Sequence, residues 1–428
     1  MRQGDAAERY NVRWLEEGDM LDDLPATARQ IVAEHLGSAD VTACRLVSRG
    51  WLAAISAEVR ELHVSADAAE EGVRLDRVAP FLHTLHVAVP SPSCMLLPEM
   101  VAALSPPRTL RVLHVATSDN GSSWVQVCVH GACFPGLREI TVRCSTLFFD
   151  AQAASLLTSI DVIVCCGPVA ACANLEALHI TDFASPLQTV GHLPKLVTLD
   201  IDYRAMPLQR PTMGDVVDAL PVDLLRRLQS FRLSGFKAGG RGLHALAACQ
   251  HLTRLHICNE GWSRGPYVYT LPPHLEDLCL HDADALVLKG QASLRSLSLV
   301  NDGAPVPAPL AVIAEARNLC HLSLQGYFWP RDLGPDLAMP CLLSVLTFIP
   351  LPSPTGSFGA LTILGRLAEA CPTLERLTVF SLEVDAMCCS LGVTALQTRC
   401  LPGWTGVLEQ RPTPPWSLSR TALTLTRD

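Results

Sequence analysis

The chain has 428 residues, 49% of them apolar and 18% charged, with a formal net charge of −9 at pH 7. That length and apolar share allow a large buried core, while the acidic balance gives no electrostatic reason to expect nucleic acid or an anionic membrane as the main partner. The 17 cysteines are scattered with no disulfide-type framework and no C-x-x-C pair, so free thiols in a reducing compartment are expected. The adjacent pairs Cys165-Cys166 and Cys388-Cys389 have poor metal spacing.

In chain order, residues 1–18 read as an N-terminal tail with acidic residues and no apolar core, which is not the pattern of a secretory signal. Residues 19–58 read as a compact helical module. Leu24-Pro25 opens a helix, with proline tolerated in the first turn; Ala28, Ile31, Val32, His35 and Leu36 form its apolar stripe and Gly37 ends it. Ser38 or Asp40 caps the next helix, in which Val41, Cys44 and Val47 share a face, and Trp51, Leu52 and Ile55 continue the packing. So small a unit buries too little surface to stand alone.

From residue 59 to about 384 the pattern L-x-x-L-x-L returns. It starts at Leu82, Leu110, Leu137, Leu175, Leu196, Leu228, Leu252, Leu275, Leu294, Leu319, Leu343 and Leu374, at a mean period of about 27 residues. A degenerate copy, Val59-Arg-Glu-Leu-His-Val64, precedes these twelve. The fourth and sixth positions face one side of an extended segment, so each copy reads as a short strand. One such unit cannot bury its apolar face alone, and stacking units side by side gives a parallel sheet with a continuous core.

Helical returns are expected at Met95 to Leu104, Leu243 to Ala248, Leu310 to Arg317 and Leu361 to Ala370, and the 38-residue gap from Leu137 to Leu175 reads as an insertion. The apolar run Leu156 to Ala173 is broken by Asp161 and Gly167-Pro168 and is too short for a membrane span. Residues 385–428 read as a C-terminal cap and proline-containing tail, with Leu401 to Trp416 irregular and Arg420 to Thr426 alternating like a strand.

Cys172-Ala-Asn-Leu175, Cys249-Gln-His-Leu252 and Cys371-Pro-Thr-Leu374 place a cysteine three residues before the repeat leucine, whereas Phe134 and Pro272 hold that offset elsewhere. This array resembles the cysteine-containing subclass of leucine-rich repeats, which implies a cysteine packed as a small apolar residue. The segment before it resembles an F-box, on Leu24-Pro25, the Ile31 and Leu36 pair, Asp40, and Cys44-Arg-Leu-Val-Ser-Arg with Trp51.

The fold class implied is α/β: a three-helix F-box-like module followed by a curved leucine-rich-repeat solenoid of about 12–13 repeats with a parallel concave sheet. The family resemblance implies the substrate-recognition subunit of an SCF-type cullin-RING ubiquitin ligase, cytoplasmic or nuclear. The F-box would dock on a Skp-type adaptor through Leu24, Pro25, Ile31, Leu36, Cys44, Leu46, Val47 and Trp51, and the repeats would hold a protein substrate for ubiquitination and proteasomal degradation. The alternative is an interaction scaffold whose helical segment only caps the stack.

In each repeat the residue between the fourth and sixth positions points away from the core: His86, His114, Thr141, His179, Asp200, Arg232, His256, Cys279, Ser298, Ser323, Thr347 and Thr378. Candidate substrate contacts are His86, His114, His179, Arg232 and His256, with Trp262, Tyr267, Tyr327 and Trp329 on rim insertions as aromatic anchors. The alternative for such aromatics, Tyr203 and Phe236 included, is that they roof the core. His63, His86 and His114 form a short row, read either as a metal or pH-sensing group or as solvated copies of one repeat. No P-loop, nucleophile elbow, H-E-x-x-H or dinucleotide turn occurs, so no enzyme, metal or cofactor is expected.

Overall fold

A computed structural model describes residues 59–65, 74–89, 105–117, 125–182, 187–203, 212–236, 246, 249–259, 267–281, 286–289, 291–301, 306–307, 310–328, 340, 342–349, 371–380, 404–410 and 421–427. The F-box-like segment lies outside them, as do the expected helices at Met95 to Leu104 and Leu361 to Ala370; of Leu243 to Ala248 only Leu246 is helical and described. The chain divides into two compact units, one through Ser145 and one from Thr146.

The first unit holds β1 (Glu61–Ser65), the helical turn α1 (Leu75–Val78), β2 (Thr84–Val89), β3 (Val112–Thr117), β4 (Val125–Val129) and the start of β5 (Glu139–Phe149). Strands β1, β2, β3 and β5 pair side by side in parallel. The degenerate copy at Val59 is a repeat in full: Val59, Leu62 and Val64 are buried, and Leu62, Leu85, Leu113 and Ile140 stand in one row.

In the second unit, parallel pairing runs through β6 (Ser159–Cys165), β7 (Ala177–Asp182), β8 (Thr198–Asp202), β9 (Ser230–Phe236), β10 (Arg254–Asn259), β12 (Asp277–His281), β14 (Ser296–Val300), β16 (His321–Gln325), β18 (Val345–Ile349) and β19 (Arg376–Phe380). Beyond the strands of two consecutive repeat pairs lie short parallel ladders, β11 (Tyr267–Thr270) with β13 (Leu286–Lys289) and β15 (Val306–Pro307) with β17 (Tyr327–Phe328). The geometry is that of a leucine-rich-repeat-like stack.

The strand β6 corrects the reading of the 38-residue gap as an insertion. Leu157-Thr-Ser-Ile160-Asp-Val162 is another copy, with all three apolar residues buried to within 1% exposure. It was hidden because it begins inside an apolar run, where Leu156-Leu157 and Val162-Ile163-Val164 blur the period. Its helix α2 (Ala151–Leu156) is capped by Asp150, whose carboxylate accepts from the Ala153 amide at 2.7 Å.

The described returns are short. Besides α1 and α2 they comprise α3 (Met213–Ala219), closed by a Thr212/Asp215 capping box; α4 (Val222–Arg227); α5 (Leu310–Glu315), where helix was expected; and short 3-10 helices at Val169–Ala171, Leu187–His192 and Gln291–Ser293. The residue three before the repeat leucine is buried in every described case tested by the cysteine pattern: Cys172, Cys249 and Cys371 at 0% exposure, with Ala79, Phe134, Ala154, Leu193 and Ala316 equally enclosed. Burial pushes the Cys172 thiol up to about 12 and those of Cys249 and Cys371 up to about 11, which suits a neutral packing group.

Entry into each strand is fixed by one recurring hydrogen-bond figure. The residue after a repeat leucine offers its carbonyl to two successive amides of the next repeat, as Glu176 does for Val197 and Thr198, both at 3.0 Å. The same double acceptance occurs at Thr158, Val197, Gln229, Thr253, Glu276, Arg295, Cys320 and Ser344, and in the first unit at Arg60, His83 and Arg111. Side chains just before the leucine add cross-repeat bonds: Thr109 to the Leu82 carbonyl, Ser293 to Leu275, Asn174 to Ser155 and Thr373 to Leu343.

The segment expected to be irregular contains β20 (Trp404–Gln410), which pairs antiparallel with β21 (Thr421–Arg427); β21 in turn lies antiparallel on β19. The Arg427 amide donates to the Glu375 carbonyl at 3.0 Å, in the place a further repeat would use.

Three substitutions test this packing. Leu157→Ala should lower unfolding free energy by about 2–5 kcal/mol, the cost of a buried leucine truncation, whereas Leu342→Ala at an exposed site should change it by less than about 0.5 kcal/mol. Gly326 has φ +74°, and a Cβ there would stand 1.8 Å from the Asn301 carbonyl oxygen. Gly326→Ala should therefore cost about 1–3 kcal/mol or more. Urea denaturation of the three variants checks all three.

Candidate functional site

Because leucine-type residues alternate inward, the intervening residues of successive repeats fall into register on the other face. In the second unit Asp161, His179, Asp200, Arg232, His256, Cys279, Ser298, Ser323, Thr347 and Thr378 form one row. In the first unit the row is His63, His86, His114 and Thr141. The sequence places all of these except Asp161, which belongs to the concealed repeat.

The first-unit imidazoles stack. His63 and His86 have ring centres 4.1 Å apart and planes 7° apart; His86 and His114 follow at 4.6 Å and 23°. Glu61 Oε1 lies 2.8 Å from His86 Nε2 and 3.5 Å from His63 Nε2. Burial and then the like charges of His63 and His114 hold His86 below its ordinary value, with Glu61 opposing them.

The second-unit row has two parts. From β6 to β9 it is ionic: His179 Nδ1 is 3.1 Å from Asp161 Oδ1, His179 Nε2 is 3.7 Å from Asp200 Oδ2, and Arg232 Nε is 3.8 Å from the same oxygen. The Asp161 hydrogen bond holds His179 above its ordinary value, helped by the charges of Asp200 and Asp161 and opposed by burial and Arg232. Asp200 is also held up, because its burial outweighs two ion pairs too long to be hydrogen bonds, and its Oδ1 is buried without a hydrogen-bond partner. From β14 to β19 the row carries only hydroxyls. Between the two stand His256 and Cys279, with Cys279 Sγ 3.8 Å from His256 Nε2.

A second row, one step further along the strands, was not extracted from the sequence. It comprises Asp202, Ser234, Cys258 and His281. Reading the residue after the sixth repeat position would have found it. Asp202 and Ser234 are buried at 6% and 0% exposure, so the open face narrows at that end of β8 and β9.

Of the aromatic candidates, Trp262 and Trp329 lie outside the described residues. Tyr267 and Tyr327 belong to β11 and β17, so they sit on ordered strands of the small ladders and not on loops. Tyr203 and Phe236, at 6% and 2% exposure, roof the core. The adaptor candidates Leu24, Pro25, Ile31, Leu36, Cys44, Leu46, Val47 and Trp51 lie outside the described residues.

No protein-family model and no curated protein matches this chain. Among solved structures it is similar to one described as "Structure of the Toll - Spatzle complex, a molecular hub in Drosophila development and innate immunity", with a TM-score of 0.38 and 14% identity over 69% of this chain and 44% of that chain. The chain thus spans less than half the length of that neighbour. Among the described residues no helix is long and apolar enough to cross a membrane.

The two perturbed histidines should respond to pH in opposite senses. His86, lowered in the folded state, binds fewer protons than the unfolded chain as pH falls below about 6.5, so acidification through its depressed value removes stability. His179, raised, contributes stability that is fully present below about 6.5 and is lost as pH rises through its elevated value. Histidine ring NMR titrations should place His86 below and His179 above an exposed histidine, and Asp161→Asn should bring the His179 midpoint down.

Proposed function

We propose that this chain is a non-catalytic receptor that holds a protein on the open face of its parallel sheet and delivers it to a ubiquitin ligase. The observation supporting the first half is the in-register row from Asp161 to Thr378. From Asp161 to Thr347 its side chains are not consumed by the core, and they change from ionic to hydroxyl along the stack. A surface so varied in chemistry suits a folded or extended polypeptide and not a polymer of one repeating unit. The charged end offers His179, Asp200 and Arg232 as specificity contacts; in the first unit His86 and His114 do the same.

The second half rests on the F-box resemblance of Leu24 to Trp51. In this reading Leu24, Pro25, Ile31, Leu36, Cys44, Leu46, Val47 and Trp51 make or support the surface for a Skp-type adaptor, itself carried on a cullin-RING scaffold in the cytoplasm or nucleus. The chain performs no bond-making step. It raises the effective concentration of substrate lysines near a charged ubiquitin-conjugating enzyme, turning a bimolecular encounter into a local one.

Co-purification tests the two halves separately. Intact protein expressed in cells should retain a Skp-type adaptor, and Leu24→Ala with Pro25→Ala should reduce retention at least about tenfold, the effect of removing about 1.4 kcal/mol. Arg232→Glu should leave adaptor retention unchanged while removing proteins captured by the wild-type stack. If the intact chain retains no adaptor, or the Leu24/Pro25 change has no effect, the ligase role is wrong and the chain is an interaction scaffold with a helical cap.

A further inference from the structure

Strands β10 and β12 carry the densest set of soft donors among the described residues. On the outward face of β10 stand His256 and Cys258; on β12 stand Cys279 and His281. Their register opposes His256 to Cys279 and Cys258 to His281, giving a checkerboard of two imidazoles and two thiols on neighbouring strands. The donor atoms of His256, Cys279 and His281 all lie within 4.8 Å of one another, and all three residues are partly shielded. His256 Nε2 and Cys279 Sγ are 3.8 Å apart, and the rings of His256 and His281 have centres 5.3 Å apart at 20°.

One of these distances is close to what a tetrahedral ion requires. With zinc–sulfur near 2.3 Å and zinc–nitrogen near 2.0–2.1 Å, a sulfur and a nitrogen on one zinc stand roughly 3.6 Å apart, and two nitrogens about 3.4 Å. The Cys279–His256 separation of 3.8 Å is near the first value, and the His281 donor lies within 4.8 Å of both. We propose that His256, Cys279 and His281 form a zinc site on the open face of the second unit.

Thiolate and imidazole together select zinc over magnesium or calcium, which take oxygen ligands. Binding breaks the Cys279 S–H bond as the zinc–sulfur bond forms, and the proton leaves to solvent; the imidazoles bind through neutral nitrogens, and nothing is oxidised or reduced.

The other donor cluster, Glu61 with His63 and His86, does not carry the same inference. Two of its three residues are exposed, whereas all three of the proposed site are partly shielded. It also lacks a thiolate.

The test is cobalt substitution in full-length protein held under a non-chelating reductant. Cobalt(II) at one equivalent should produce a thiolate-to-metal charge-transfer band and the intense visible bands of a tetrahedral ion, both abolished by one equivalent of zinc. Cys279→Ser should remove the charge-transfer band, and His281→Gln should weaken cobalt affinity at least about tenfold, each with unchanged circular dichroism. His86→Gln and Cys133→Ser, outside the site, should leave the spectrum intact. Absence of the band in the wild type, its survival in Cys279→Ser, or its loss in Cys133→Ser overturns the assignment. Should Cys279→Ser fail to fold, the His281→Gln and Cys133→Ser spectra decide it. None of these outcomes depends on adaptor or substrate binding.

Discussion

The constraint on which the rest depends is the carbonyl that follows each repeat leucine. By accepting from two successive amides of the next repeat, it fixes where that next strand begins to within one residue. A slip of one residue would exchange every inward side chain for an outward one. The double acceptance at Thr158, Glu176, Val197 and their successors therefore keeps the leucine rows buried and the polar row outward at the same time. Core and outward row are two results of one backbone register.

That coupling explains why the outward row was largely legible from sequence. Once Leu175, Leu196 and Leu228 set the phase, the residues four places on had to face outward, and His179, Asp200 and Arg232 do. The concealed repeat at Leu157 was not legible, because Val162, Ile163 and Val164 together satisfy several phases. Only pairing of Ile160 with Leu178 and of Asp161 with His179 selects one. The proton-sharing partner of His179 was lost with it. His281 escaped for a different reason: it is two residues beyond Cys279, past the end of the motif as written, and its meaning arises only from the neighbouring strand.

Three described returns, α2, α3 and α4, were not read as helices, and the physics is plain. A strand here is specified by three apolar positions and many hydrogen bonds, whereas a return of six or seven residues needs only a cap and two buried contacts. Asp150 before Ala151 and Thr212 before Met213 are such caps, yet single polar residues before alanine-rich or mixed stretches are common in any loop. The aromatic residues divide on the same principle. Tyr203 immediately follows β8 and Phe236 ends β9, and both are drawn into the core, while Tyr267, well beyond β10, and Tyr327, just past Gly326 after β16, enter separate ladders.

The antiparallel closure by β21 bears on how such an array changes over generations. Arg427 already occupies the acceptor on Glu375 that an added unit would need, and its guanidinium bonds the Pro372 carbonyl while lying 5.7 Å from the Trp404 ring centre. A copy inserted between two existing repeats inherits a donor on one side and an acceptor on the other; a copy placed after β19 must first displace β21. Lengthening by duplication is thus favoured inside the array and penalised at that edge.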